Sequence, residues 1–208
     1  MSVLDKLAVA TGNRDEEANI ELAKQVAKKG DKNAVAELVE NLTAKNAAIR
    51  SDCIKTLYEI GALKPELIAP YEKDFLALLS HKDNRLQWGA MTALGCICKV
   101  SPKTIYKSLG TIMDAADKGS VITNDHAVRI LITLTAQKAY ADNTFTLLLD
   151  KLKSCPDNQL PMYAEQSLEI INDKNKAPFI KVLQSRLDGI EKESKRKRVE
   201  KVIKKLSK

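Results

Sequence analysis

Residues 86–97 read Leu86-Gln87-Trp88-Gly89-Ala90-Met91-Thr92-Ala93-Leu94-Gly95-Cys96-Ile97. Ala90, Leu94 and Ile97 stand at i, i+4 and i+7, which is one face of an α-helix. Stepping 37 residues at a time from each of them gives three columns. The first is Cys53, Ala90, Ala127 and Ala164. The second is Leu57, Leu94, Leu131 and Leu168, and the third is Ile60, Ile97, Leu134 and Ile171. The first column holds only small residues, so another helix can approach closely there. The other two are aliphatic and fill a core.

A further column with the same step lies upstream: Leu38, Phe75, Ile112 and Leu149. It marks another helix in every copy. Ile49, Leu86 and Leu160 form one more, interrupted by Thr123. Pro65 and Pro102 share the spacing, and Ser101-Pro102 reads as a helix N-cap followed by proline at the first helical position. Each unit therefore reads as helix, short turn, helix, with copies over 30–66, 67–103, 104–140 and 141–177. A lone helix pair cannot bury its apolar face, whereas stacked copies share one continuous core. The flanks read as caps: a half-repeat over 1–29, with Ala18, Ile20, Leu22 and Val26 on a helix from 14 to 29, and a C-terminal cap over 178–208. The expectation is one all-α domain, a right-handed α-α superhelix of four helix-pair repeats.

The stretch from Leu78 to Ile97 resembles a HEAT repeat. It has a leucine-rich first helix, Asp83 in the turn, and Ala90 with Leu94-Gly95 in the second helix. Ile49-Arg50 fits the family's Val-Arg-like pair, and Asp157, Leu160, Ala164 and Leu168 repeat the spacing. The arginine of that pair is replaced by Gln87, Asn124 and Pro161 in the other copies. Armadillo-like packing stays open as a neighbouring alternative. The resemblance implies an α-solenoid and a second-helix face lining a concave side; it is unspecific for function.

The composition agrees with helices. Hydrophobic residues make up 44 % and aromatics only 4 %, with 8 Gly and 6 Pro, which argues against a many-stranded sandwich or barrel. The N-terminus turns charged at once, Met1-Ser2-Val3-Leu4-Asp5-Lys6, unlike a secretory signal, and a cytoplasmic location is expected. The net charge is +7, but residues 191–208 carry nine Lys or Arg against three Glu, leaving +1 for the rest. A near-neutral body does not suit a groove for nucleic acid. Any contact with nucleic acid is expected to be weak, unspecific and owed to Lys195, Arg196, Lys197 and Arg198. The alternative to that reading of the run is a solvated capping helix.

Catalytic signatures are missing from the sequence. There is no glycine-rich phosphate loop, no His-Glu-x-x-His and no Gly-x-Ser-x-Gly. His81 reads as a solvated turn residue and His126 as a surface or half-buried one. Cys96-x-Cys98 lacks metal spacing, Cys53 sits in a core column, and Cys155 before Pro156 reads as an exposed turn residue. No enzyme activity, metal or cofactor is expected. The helix face outside the core columns carries Lys55, Tyr58, Trp88, Asp125, Arg129, Met162 and Tyr163. Trp, Tyr, Arg and Met are favoured at binding interfaces. A protein-binding scaffold with a protein or peptide partner is the function expected, on these residues. Half-burial of Trp88 and Tyr163, and an ordinary i, i+4 pair of Asp125 with Arg129, are the alternatives. HEAT-like repeats also build alkylpurine DNA glycosylases, whose aromatic, carboxylate and arginine residue types resemble Trp88, Asp125 and Arg129; nucleic-acid binding of that kind is the second function weighed.

Overall fold

The computed structural model describes residues 2–12 and 16–207. Residues 14 and 15, at the start of the expected N-terminal helix, lie outside the described residues. The chain is all-α, with no strand among the described residues. Its contacts gather into two compact units, Met1–Ala127 and Val128–Lys208.

In the first unit a 3-10 turn (Val3–Lys6) and α1 (Ala8–Thr11) precede α2 (Glu17–Lys29), α3 (Lys32–Glu40) and α4 (Ala47–Leu63). Two 3-10 turns, Pro65–Leu67 and Ala69–Tyr71, lead into α5 (Glu72–Leu78) and α6 (Asn84–Cys98). Then come α7 (Pro102–Lys107), α8 (Leu109–Lys118) and the start of α9 (Val121–Thr135). Helix starts follow local chemistry. Asp31, Asn46 and Asp83 each accept from a backbone N–H of the first turn, at 3.0, 2.9 and 2.9 Å. Gly30 closes α2 at φ 67°, a left-handed conformation that glycine adopts without steric cost. Ser101 stands at the N-cap of α7 with Pro102 behind it, but its side chain makes no cap hydrogen bond.

Helix α4 packs between α2 and α6. Cys53, Leu57, Ile60, Ala90, Leu94, Ile97 and Ala127 are all fully buried, as are Leu38, Phe75 and Ile112. The close approach of α6 to α4 depends on Gly89: a Cβ there would lie 2.6 Å from Cγ1 of Ile54. Thr123, the polar interruption of its column, is fully buried as well; its hydroxyl lies 3.1 Å from that of Ser120.

The column at Arg50, Gln87 and Asn124 looks irregular in sequence yet performs one task. Arg50 donates to the carbonyls of Ala44 (2.7 Å) and Lys45 (3.1 Å), Gln87 to Leu79 (2.8 Å), and Asn124 to Ala116 (2.6 Å). These carbonyls end the preceding helix or begin the turn after it, where intrahelical N–H groups run out; that of Ala116 also accepts from the Gly119 N–H at 3.2 Å. Any side chain with an N–H of suitable reach satisfies them.

The N-terminal segment is tied to this unit by side chains. Glu37 accepts from the Ser2 hydroxyl and from the Val3 N–H (3.1 Å). Asn19 accepts from the Ala8 N–H at 2.9 Å, and Asp52 from the Val9 N–H at 2.7 Å.

The second unit holds the rest of α9, then α10 (Ala141–Ser154), α11 (Leu160–Ser167), a 3-10 turn (Leu168–Ile170), α12 (Lys176–Leu187) and α13 (Glu193–Leu206). Helix α13 packs on α11 and α12, and α12 on α10. Here three columns slip by one residue. Leu148, not Leu149, is fully buried on α10. After Ala164 burial runs through Ser167, the last residue of α11, and Ile170, which ends the 3-10 turn, while Leu168 and Ile171 are only half-buried. A 3-10 turn repeats every ~3 residues instead of ~3.6, so Ile170 faces inward three residues after Ser167.

The fourth member of the donor column is Pro161, which has no N–H to give. Arg186 of α12 takes over. It donates to the carbonyls of Leu152 (2.8 Å), Lys153 (2.7 Å) and Cys155 (2.9 Å) and pairs with Asp157 at 2.6 Å. That clamp also corrects the expectation for Cys155. The residue is 8 % exposed, its Sγ donates to the Leu152 carbonyl at 3.7 Å, and burial raises the thiol pKa.

Candidate functional site

The polar cluster with the most convergent geometry lies on α4 and α6 of the first unit. Lys55 and Tyr58 share a face of α4, three residues apart; Arg85 and Trp88 do the same on α6. The Tyr58 and Trp88 rings lie 5.8 Å apart, tilted by 47°. Lys55 Nζ sits 5.0 Å from the centre of the Tyr58 ring, and the Arg85 guanidinium 5.7 Å from that of Trp88. Both distances permit cation–π attraction.

Glu16 closes the cluster. It occupies the N-cap position of α2 but makes no cap hydrogen bond with its side chain. Instead one carboxylate oxygen bonds the Arg85 guanidinium and the other lies 3.2 Å from Lys55 Nζ. Lys55 also pairs with Glu59, one turn on, at 2.7 Å. Burial on its own would raise the Glu16 carboxyl pKa; hydrogen bonds from Arg85 and Lys55 outweigh it and hold the group below the usual carboxylate value. For Lys55 the desolvation is likewise outweighed, chiefly by the hydrogen bond to Glu59, so its pKa rises. Burial pushes the Tyr58 phenol up.

The sign of the pH effect follows. A carboxyl depressed in the folded protein adds stability that is present above its unfolded pKa, about 4.3 for glutamate, and lost as pH falls through the folded value. Denaturant unfolding of the parent and Glu16→Gln between neutral and acidic pH is expected to show a gap that closes as pH drops. Parallel curves would show that the Glu16 pairs contribute nothing. The Glu16 side chain is 40 % exposed, so solvent screening keeps the gap small.

Burial redistributes the residues expected to meet a partner. Lys55 is 8 % and Tyr58 9 % exposed, so they stand behind the surface, and Lys55 Nζ is held by two carboxylates. Trp88 is half-buried and presents part of its ring. Asp125 is half-buried on α9. In the second unit Arg129 is exposed and Met162 half-buried. Tyr163 is 1 % exposed and is a core residue there, a correction to its expected contact role. Tyr163 and Ser167 stand at i and i+4 on α11, and that face of the helix is turned inward.

Two residues of the basic run, Lys195 and Arg198, reach beyond their own helix. Arg198 forks onto Glu165 of α11 with bonds of 2.8 and 2.6 Å. Lys195 bonds the side chain and carbonyl of Asn158, Arg196 pairs with Glu200 at 3.2 Å, and Lys197 pairs with Glu193 at 3.3 Å. The Arg198 pair also holds the Glu165 carboxyl below its usual pKa. Each of these four cations therefore has a partner within the unit.

Three residues of the cluster, Glu16, Glu59 and Arg85, escaped the sequence reading. Arg85 had a signal, since it stands one turn before Trp88 on the same helix. Glu16 had none, because it lies outside the repeats and 69 residues from Arg85.

No protein-family model matches the sequence, and neither does any curated protein sequence. Solved structures do match in fold. A crystal structure of an engineered protein is similar at 20 % identity, over 100 % of this chain and 97 % of that one, with a TM-score of 0.63. A designed armadillo repeat protein in complex with the peptide (KR)4 is similar at 14 % identity, over 90 % of this chain and 86 % of that one, TM-score 0.65. Another, computationally designed for modular peptide recognition, is 14 % identical over 98 % of both chains, TM-score 0.64. With four columns at a 37-residue step buried through the first three copies, and no strand among the described residues, the chain has the all-helical repeat fold of armadillo- and HEAT-like proteins.

Proposed function

We propose that the chain is a non-catalytic scaffold that holds an extended segment of a partner protein against the α4–α6 face of its first unit. The observation that carries this reading is the Tyr58–Trp88 ring pair flanked by Lys55 and Arg85. A half-buried Trp offers a large apolar area with a polar edge, which suits a surface that is wet when free and dry when bound. The peptide-recognising designed armadillo proteins of similar fold support it as well. On this reading Asp125 lies on the margin of the first unit's surface, and Arg129 and Met162 act as contacts on the surface of the second.

Trp88→Ala is expected to weaken partner binding by at least ~2 kcal/mol, roughly thirtyfold, if Trp88 is an interface anchor. The check is co-purification from native cells with mass spectrometry, parent against variant, with helicity and melting measured in parallel. A folded variant that keeps every partner of the parent sinks the assignment. Unfolding of the variant would make Trp88 a packing residue instead.

A further inference from the structure

We propose that Lys55 and Arg85 form a recognition site for an acidic side chain of the bound peptide, and that Glu16 occupies this site in cis as an internal ligand. The inference rests on the peptide-binding reading above and adds the charge of the peptide.

The chemistry is that of a carboxylate held between two cations. One oxygen of Glu16 accepts from Arg85 and the other meets Lys55. The guanidinium is not used up by this contact. Its Nε is buried and has no acceptor among the described residues. Arginine binds a carboxylate best as a fork, through two N–H groups at once. Glu16 supplies one bond where a freely placed carboxylate supplies two. Among Lys55, Arg85, Glu16 and Glu59 the formal charges cancel. Displacing Glu16 leaves one positive charge, which one Asp or Glu of a peptide restores. The ring faces of Tyr58 and Trp88 exclude water on one side and strengthen that attraction.

Glu16 is placed to exchange. Its side chain is 40 % exposed and that of Arg85 35 %. Nothing in α2 requires its carboxylate, which caps no backbone N–H there. An internal competitor of this kind reduces the fraction of molecules able to bind and raises the apparent Kd by the same factor. Lys-Arg peptides, by contrast, would meet two cations here.

Trp88 is the sole tryptophan, so fluorescence excited selectively at tryptophan, and not at the five tyrosines, reports on this site. The full chain is titrated at low salt with an alternating Glu-Ala peptide, its Gln-Ala counterpart and an alternating Lys-Arg peptide. The Glu-Ala peptide is expected to bind about tenfold or more tightly than the Gln-Ala one, as for a desolvated charge-assisted contact. Glu16→Gln should tighten Glu-Ala binding by about threefold, the scale of a part-exposed ion pair, and leave Gln-Ala binding unchanged. Arg85→Lys, which keeps the charge and loses the fork, should lower Glu-Ala affinity toward the Gln-Ala level. Equal binding of the Glu-Ala and Gln-Ala peptides, or preference for Lys-Arg, overturns the acidic site while the peptide-binding reading survives. Weaker Glu-Ala binding in Glu16→Gln would show that Glu16 is a brace and not a competitor, and overturns the inference too. No fluorescence change with any peptide, in the parent and Glu16→Gln alike, removes both.

Discussion

Leu94→Ala is expected to destabilise the protein by about 2–5 kcal/mol, the range for truncating a buried leucine whose cavity cannot fully collapse. Leu94 is fully buried on α6, one turn after the equally buried Ala90 of the small-residue column. Leu57 and Leu131 occupy the same column and are also fully buried. Leu168, the fourth member, is only half-buried, because Ser167 before it and Ile170 after it face inward instead. Leu168→Ala should therefore cost less than ~1 kcal/mol beyond its exposed part, in keeping with the smaller area it removes from water. Urea unfolding of the two variants gives the comparison. Equal losses would mean that the column stays in register through the last copy and that the 3-10 turn does not form in solution.

Tyr163→Ala should be as damaging, at about 3–5 kcal/mol for a large aromatic emptied from a core. Tyr163 is 1 % exposed, and its neighbours in sequence, Ala164 and Ser167, are fully buried with it. The loss should appear as lowered melting and reduced denaturant resistance. The adjacent Met162 is half-buried, and Met162→Ala should cost far less. The pair tests the division between core and surface on α11. A well-folded Tyr163→Ala protein with altered partner binding would return Tyr163 to the contact surface.

The helices, their pairing and most of the core were legible from residue types at fixed spacing. Cys53, Ala90, Ala127 and Ala164 are buried because each copy needs a close approach at the same place, and selection for that need recurs every 37 residues. Burial shared by all copies leaves a periodic trace. The donor column was visible as a position but not as a function: Arg50, Gln87 and Asn124 differ in charge and length and share only an N–H that reaches a helix end. Pro161 then breaks the column, and Arg186 repairs it from α12, at a distance of 34 residues from Leu152 that no period predicts.

Tertiary structure alone settled which polar residues meet. Glu16 reaches Lys55 and Arg85 from outside the repeats, Glu165 receives Arg198, and both contacts occur once. It also settled register where the backbone tightens. The choice between Ile171 and Ile170 depends on whether the chain turns every ~3.6 or every ~3 residues, and both residues are aliphatic. An apolar pattern states how much is to be buried along a helix. Where that helix ends, and which single carboxylate comes to lie on a given arginine, are fixed by packing against elements far away in the chain.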